Sequence, residues 1–546
     1  MTVTIDALDV RLEDLERLVD RVEQGSVSAA DVALLRAVVH TLAHVATLLA
    51  THGTTLAGLR HLLLAQTATS EKTQTVLARA GLTPDPAPAA PPDSAPRPPA
   101  RPRAPGHGRH GAAAFTGAQQ VVIPHATLKA GDACPGCRTG KVYGCPPPAR
   151  LVRFHGHAPI TAAVFALERL RCNLCGEVFT ATAPPAVGPE KYDPTAASVI
   201  AVLKYGSGMP FSRLAGLQRR LGIPLPATTQ WDIVREVATR IRPAFDELQR
   251  QAARGTVLYN DDTSVPVLAL RRERSPDGRT GIFTSGIVSA TEGRQIALYL
   301  TGRPHAGENL ATVLAQRPPT LPPPIQMCDA LARNLPKLPE PLATIVGHCL
   351  AHARRRFVAV TPAFPDECRY VLETLGAVYH IDAEARAQQL TPDVRLRRHQ
   401  EQSAPLLTAL RTWGLTQLEE HRVEPNSGLG QAITYCLKHW ERLTLFLRVA
   451  GAPLDTNIVE RALKKAILHR RNALFFKTTR GAQVGDLYMS LIHTADLAHV
   501  NPVDYLTALQ QHAGNLAQTP SAWMPWNYHE TRARCSPPNA ASPVPP

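Results

Sequence analysis

The sequence predicts a multidomain protein of the α+β class. At 546 residues the chain is too long for one hydrophobic core. Heptad and amphipathic helical patterns fill much of its N-terminal part, whereas short apolar runs separated by turn residues begin near residue 255. Two Cys-x-x-Cys pairs lie between these parts and indicate a small metal-binding domain. We therefore expect an N-terminal helical region, a cysteine-rich domain, a helical segment and an α/β core.

The charge balance indicates the kind of partner. Lys and Arg total 59 against 45 Asp and Glu, which gives a net charge of +14 and favours a polyanion, with nucleic acid the first candidate. The N-terminus has no apolar signal sequence, so we expect a cytoplasmic protein with reduced cysteines. Residues 37–59 carry no charge, but their histidines and threonines are too polar for a membrane span, and no membrane association is expected.

Residues 1–66 predict two helices. The first has a heptad seam formed by Ile5, Leu8, Leu12, Leu15, Val19 and Val22. In the second, leucine recurs at every seventh position from Leu35 to Leu63. These helices either pair within one chain as a hairpin or form a coiled coil with another copy, which would make the protein a homo-oligomer. The proline-rich residues 84–112 cannot pack a core and predict a disordered linker.

Residues 120–185 carry the cysteine pairs, Cys134 with Cys137 and Cys172 with Cys175. Four thiolates at this spacing predict the closed tetrahedral site of a structural zinc ribbon. One alternative is that Cys145, His155 or His157 replaces one of these ligands. The other is a redox-active cysteine pair, which the absence of a βαβ pattern disfavours.

Residues 190–250 are predicted to be helical. Two amphipathic runs within 211–245 are broken at Gly222-Ile223-Pro224. The break suits a DNA-binding helix-turn-helix whose second helix presents Thr228, Thr229 and Gln230. An ordinary helical hairpin with a solvated arginine face is the alternative.

The segment from residue 255 predicts three strands, then a helix and two further strands. This order is that of a ribonuclease H-like sheet, in which the first and fourth strands lie side by side. Asp261 falls on the first strand and Asp329 at the end of the fourth. Together these carboxylates can hold hard divalent cations such as Mg²⁺, and a pair of such ions promotes phosphoryl transfer on DNA.

Glu460 is a candidate for a third metal ligand. It precedes a basic run that we expect to bind DNA phosphates, formed by Arg461, Lys464, Lys465, Arg470, Arg471, Lys477 and Arg480. The alternative is an ordinary surface helix in which Glu460 pairs with Lys464 at i,i+4 spacing.

Several segments resemble the DDE-type transposases of the insertion-sequence-66 family. They are KYGSGMPFSRL (204–214), NDDTSVPVL (260–268), QMCDA (326–330), HCLAHARRRF (348–357) and the long motif DTNIVERALKKAILHRRNALFFKTTRGAQVGDLYMSLIHTA (455–495). With the cysteine pairs, the resemblance covers about residues 130–510. Asp262 stands where the family usually has Glu, and Thr456 where it usually has Asn.

The resemblance implies an Asp-Asp-Glu metal triad of Asp261, Asp329 and Glu460. It also implies the division of the second half of the chain. The parts are a ribonuclease H-like core at 255–357, a helical insertion at 358–450, the last part of the core at 451–510 and a tail at 511–546.

We therefore expect a Mg²⁺-dependent transposase that cuts DNA at the ends of an insertion sequence and joins the freed 3′-hydroxyl to target DNA. Arg354, Arg355 and Arg356 would bind DNA phosphates together with the 464–480 cluster. The expected partners are double-stranded DNA, further copies of the chain and accessory proteins of the same element. The rival functions are a non-catalytic DNA-binding regulator and a ribonuclease H-like nuclease that cuts without joining.

Overall fold

The computed structural model describes most of the chain from residue 127 onward. The described ranges are 127–135, 138–143, 158–171, 178–184, 190–273, 278–291, 293–340 and 342–535, with the isolated residues 21, 28, 31, 32, 73 and 76. Residues 1–66, apart from four of these isolated residues, and the proline-rich linker lie outside them. The chain divides into two compact units, one of residues 85–349 with 441–546 and the other of 1–84 with 350–440.

The larger unit begins with two short antiparallel pairings in the cysteine-rich region. Strands β1 (Arg169–Arg171) and β2 (Val178–Thr180) form a hairpin, and an isolated bridge joins Ala133 to Lys141. In each case the segment between the paired residues contains one Cys-x-x-Cys pair.

Four helices follow the cysteine-rich region. They are α1 (Pro194–Ala201), which continues as a π-helix (Val202–Gly206), α2 (Phe211–Arg220), α3 (Ala227–Arg240) and α4 (Arg242–Ala252). The predicted break at 222–224 falls between α2 and α3, where Gly222 adopts a positive φ of 79° that suits glycine.

A five-stranded mixed sheet forms the centre of the unit. Its strands are β3 (Val257–Ser264), β4 (Phe283–Thr291), β5 (Arg294–Gly302), β6 (Ile325–Cys328) and β7 (Ile345–His348). The spatial order is β5-β4-β3-β6-β7. The first three strands pair antiparallel, and β6 joins β3 in parallel. The first and fourth strands of the sheet are therefore neighbours.

Helices accompany the sheet and complete the unit. They are α5 (Leu268–Arg272), α6 (Ala306–Leu314), the 3₁₀ turn Ala332–Asn334, α12 (Trp440–Leu443, of which Trp440 falls in the other unit), the 3₁₀ turn Leu445–Leu447, α13 (Asn457–Ala473), α14 (Thr479–Leu497), α15 (Pro502–Gln511), α16 (Ala513–Gln518), the 3₁₀ turn Pro520–Trp523 and α17 (Tyr528–Cys535). The expected C-terminal tail is thus helical through Cys535, and it buries Trp523 and Tyr528 fully.

Helix α14 is the most deeply buried helix of this unit, and it covers the edge of the sheet. Asp486, Ser490 and Thr494, spaced four residues apart, accept hydrogen bonds from edge-strand amides. Four helical residues rise about 6 Å and two strand residues about 6.8 Å, so the two repeats match. This ladder satisfies backbone groups that an edge strand would otherwise leave unpaired.

The smaller unit is helical in its described part. Its helices are α7 (Leu350–Val360), α8 (Pro365–Ala387), α9 (Pro392–Arg398), the π-helix His399–Ser403, α10 (Ala404–Glu419) and α11 (Gly428–Lys438). Asp382, buried on α8, forms ion pairs with Arg386 and Arg395. Across the described part of the chain, no helix is both long and apolar enough to cross a lipid bilayer.

Candidate active site

Asp261 lies in the middle strand of the sheet. Its cross-strand partner on β4 is Gly286, so both positions face the same side. The neighbouring side chains of Asn260 and Asp262 point to the opposite face because side chains alternate along a strand. The Asp261 side chain is half-buried, and its Oδ1 accepts the Asp262 amide at 2.8 Å.

Asp329 lies directly after β6, the parallel neighbour of β3. Its Oδ1 accepts hydrogen bonds from the Leu331 amide, at 3.2 Å, and from the side-chain amide of Asn334. Asn334 is itself fixed, because its backbone carbonyl accepts from Asn260 Nδ2 at 2.7 Å and Gln326 Nε2 at 2.8 Å. Buried amides thus connect β3 and β6 to the carboxylate of Asp329.

Glu460 lies in the first turn of α13. Gly286 lets this helix approach the sheet closely, since a Cβ at that position would come within 2.9 Å of Leu463 and 3.3 Å of Val459. On the next helical turn, the hydroxyl of Tyr299 donates to the Ala462 carbonyl at 2.7 Å. The contacts hold the start of α13 beside the strand that carries Asp261.

The three carboxylates interact electrostatically. Burial raises the pKa of Asp261 to about 7, and the negative charges of Asp329 and Glu460 add to the rise against the hydrogen bond from the Asp262 amide. All three side chains are half-buried, so solvent still reaches them. Carboxylate oxygens that repel one another in a partly buried site favour the binding of a divalent cation, which would relieve the repulsion. The chemistry of these donors therefore suits the predicted magnesium ion.

Comparison with known proteins gives the family. The sequence model described as "Transposase IS66 family" matches residues 191–484, which is more than half of the chain and includes all three acids. The chain belongs to the IS66 family of transposases. This membership confirms the resemblance noted from the sequence motifs.

Three proteins of Sinorhizobium fredii (strain NBRC 101917 / NGR234) are similar to this IS66-family chain. Uncharacterized protein y4jD is 32% identical over 187 residues, which are 34% of this chain and 36% of that protein. Uncharacterized protein y4hP is 26% identical over 67% of this chain and 68% of its own length. For uncharacterized protein y4qI the identity is 25%, over 60% of this chain and 61% of that protein. The chain thus spans from about a third to two thirds of the length of these relatives.

Asp262 has a structural role in this family member. Its side chain is fully buried and accepts hydrogen bonds from Ser285 Oγ at 2.6 Å and from the Ala306 amide at 3.0 Å. The second bond satisfies a free N–H at the start of α6, where the helix dipole also favours a negative charge. The two adjacent aspartates therefore contribute to opposite faces of the sheet.

The basic residues of the α13 region fall into two groups. Arg461, Lys464, Arg471, Lys477 and Arg480 are exposed. By contrast, Lys465 forms an ion pair with Asp496, and Arg470 donates to the Ser264 carbonyl and to Thr263 Oγ1. These two side chains connect α13 to neighbouring elements. The exposed group remains available to bind a polyanion.

Arg354, Arg355 and Arg356 lie on α7 of the smaller unit. Arg354 donates to Thr73 Oγ1 at 3.2 Å, and the Arg356 guanidinium lies 3.8 Å from the centre of the Tyr435 ring. Arg355 is half-buried, whereas Arg356 is exposed. Their assignment to phosphate binding stays a prediction.

Helices α2 and α3 do not expose all of the residues that were predicted to face DNA. Gln230 is fully buried, and its side-chain amide donates to the Leu225 carbonyl at 2.9 Å, so it stabilises the turn instead of facing solvent. Thr228 is exposed and Thr229 half-buried. The exposed face of α3 also carries two acids, Glu236 and Asp232, of which Asp232 forms an ion pair with Arg235. Helix α2 instead exposes only basic charges, those of Arg213, Arg219 and Arg220.

Cys134 is half-buried next to the Ala133–Lys141 bridge. Its amide donates to the Gly140 carbonyl, and its carbonyl accepts the Arg138 amide, both at 2.8 Å. Arg138 has a positive φ of 59°, as expected for a tight turn. The predicted ligands Cys137, Cys172 and Cys175 lie outside the described residues.

Sequence reasoning missed three residues that shape the site: Gly286, Tyr299 and Asn334. The alternation of side chains along β4 could have placed Gly286 on the face of Asp261. The sequence offers no comparable signal for Tyr299 or Asn334, because their partners are backbone groups and side chains distant in the chain.

Proposed function

We propose that this protein is a DNA transposase that uses divalent metal ions to cut DNA at the ends of an insertion sequence and to join the cut end to target DNA. One observation carries the proposal: strand pairing brings the end of β6, with Asp329, next to the strand of Asp261, and the helix of Glu460 packs on Gly286 opposite Asp261. The charges of Asp329 and Glu460 accordingly add to the rise that burial causes in the pKa of Asp261. Membership of the IS66 family supports the same function.

Asp261, Asp329 and Glu460 would hold the ions through carboxylate oxygens, which Mg²⁺ prefers. When bound, such ions activate the attacking oxygen and neutralise charge on the phosphate. The protein contributes by fixing the acids beforehand. Asn334 and the Leu331 amide orient Asp329, while packing against Gly286 sets the position of Glu460.

The core is ribonuclease H-like in this proposal. Counting strands from β3, the spatial order is 3-2-1-4-5 with the second strand antiparallel to its neighbours. That arrangement supports the assignment because it brings the first and fourth strands, which carry or precede the two aspartates, next to each other.

Double-stranded DNA would be bound by the exposed cations of α2 and of residues 461–480, since neither segment contains an acidic residue. Phosphate contacts of this kind position DNA without reading its sequence. A zinc ribbon at the two cysteine pairs and a cytoplasmic location complete the proposal.

The test uses the purified full-length chain and a plasmid that carries the element with its terminal sequences. Asp261→Asn, Asp329→Asn and Glu460→Gln should each reduce Mg²⁺-dependent cleavage and joining by at least about 100-fold. Glu236→Gln, which changes an exposed acid on α3, serves as the control and should retain wild-type activity. Mn²⁺ should raise the unfolding temperature of the wild type more than that of Asp261→Asn.

Three outcomes would contradict the proposal. Nicked or linear DNA without joined products would indicate a nuclease. A biological effect that survives Glu460→Gln would indicate a non-catalytic regulator. Equal activity of all four variants would show that these acids are not the catalytic site.

A further inference from the structure

Two large apolar side chains are exposed side by side on the loop between α13 and α14. Leu474 is 64% exposed and Phe475 44%. Leu474 has a φ of 69°, a left-handed conformation that a branched, bulky residue rarely adopts. Strained residues of this kind persist where the surrounding structure fixes them, and they concentrate at functional sites.

The loop holds the pair rigidly outward. On one side the Leu474 amide donates to the Arg470 carbonyl at 2.8 Å, which closes the end of α13. On the other side Phe476 is buried, its amide donates to the Pro266 carbonyl at 2.9 Å, and its ring stacks on His469. Leu474 and Phe475 therefore project between two anchored residues.

The charged residues that flank the pair along the chain are all basic. No acidic residue occurs between Glu460 and Asp486. The exposed cations on this stretch nearest the loop are Arg471, Lys477 and Arg480. Helix α5 adds the exposed Arg271 and Arg272, and the Ala269 amide joins this helix to the Lys477 carbonyl. An exposed apolar pair with cations near it suits DNA, since the cations can bind phosphates while the apolar side chains contact bases.

We propose that Leu474 and Phe475 form an apolar wedge that enters bound DNA and stacks on an unpaired base. Apolar side chains that enter DNA between base steps unstack them and bend the duplex. The wedge directly follows the helix that carries Glu460 in its first turn. From Glu460 to Ala473 this helix rises about 20 Å, or roughly six base pairs. The inference rests on the proposed DNA substrate, but it requires no catalysis.

The experiment measures binding of the full-length chain, without metal ions, to two 30-base-pair probes. One is fully paired, and the other ends in a fork of four unpaired nucleotides that contains 2-aminopurine. The wild type should bind the fork about 10-fold more tightly and change its 2-aminopurine fluorescence. Phe475→Ala should lose this preference and Phe475→Trp should keep it, with unchanged unfolding temperatures.

Two further variants separate stacking from charge. Lys477→Ala should weaken binding of both probes equally and reduce the slope of log K against log[salt] by about one. Leu415→Ala removes an apolar side chain of similar exposure on α10 and should bind as the wild type does.

A wild-type preference for the fork that survives in Phe475→Ala would overturn the wedge and leave the proposed function standing. Failure of the wild type to bind either probe would overturn both. Phe475-dependent binding to phosphatidylserine vesicles, with DNA binding unchanged in the variant, would assign the loop to a lipid surface instead.

Discussion

Adjacent residues on one strand of this protein have unrelated roles, because their side chains point to opposite faces of the sheet. Asp261 faces α13 and the other acids, whereas the buried carboxylate of Asp262 accepts the first amide of α6. The difference arises from strand alternation alone. Asn334 shows the complementary case, in which one residue both receives hydrogen bonds through its backbone and orients Asp329 with its side chain.

Asn334→Ala should impair the site without unfolding the protein. The change removes the donor to Asp329 but leaves the backbone carbonyl that binds Asn260 and Gln326. We expect cleavage to fall by about 10- to 100-fold, with more Mg²⁺ needed for half-maximal activity. Activity titrations with Mg²⁺ measure both effects, and an unchanged Mg²⁺ requirement would show that Asn334 does not position Asp329.

At the scale of elements, the docking of α13 on the sheet decides where Glu460 lies. The helix packs on β4 where the strand has a glycine, and the Tyr299 hydroxyl fixes the following turn. A side chain at position 286 would push the helix outward, because protein interiors have little space to absorb it.

Gly286→Ala should therefore destabilise the fold by about 1–3 kcal/mol through overpacking against Leu463. It should also reduce cleavage, since Glu460 moves with the helix. Adding Leu463→Ala removes the atoms that clash and should recover part of the loss. Urea unfolding of both single variants and the double variant measures the coupling. Additive effects would rule out this contact as the cause.

The polar ladder between α14 and β5 predicts a dependence of stability on pH. Burial raises the pKa of Asp486 to about 7, although two hydrogen bonds from Thr301 oppose the rise. The folded protein therefore holds a proton that the unfolded chain has released above about pH 4, and stability falls as pH rises from there to about 7.

Asp486→Asn keeps the shape and removes the titration. Relative to this variant, the wild type should lose up to about 1.4 kcal/mol of unfolding free energy per pH unit between pH 4 and pH 7. Urea unfolding at several pH values checks the slope. A constant difference between the two proteins would mean that Asp486 is ionised throughout.

At the scale of the whole molecule, the chain combines a core built on a five-stranded sheet with a cysteine-rich region and an excess of positive charge. The two short pairings there flank Cys-x-x-Cys segments, an arrangement that suits a zinc ribbon. The net charge of +14 agrees with the DNA substrate proposed for this chain.

The purified protein should contain about one zinc ion per chain. Cys134→Ser and Cys172→Ser should each reduce this content and lower the unfolding temperature, because a structural zinc site contributes folding energy. Cys535→Ser, which changes an exposed cysteine, should leave it unchanged. Elemental analysis by mass spectrometry gives the stoichiometry, and full zinc content in Cys134→Ser would exclude the ribbon.

The sequence by itself determined the family, the strand runs and the candidate acids, because each is written in local patterns or contiguous motifs. Tertiary structure decided which of the two adjacent aspartates faces Glu460, that Gln230 turns inward, and that Lys465 and Arg470 bind within the protein. It also placed Gly286 and Asn334 beside the acids. Such outcomes depend on partners far away in the chain, and local pattern carries no information about which distant groups will meet once the helices pack on the sheet.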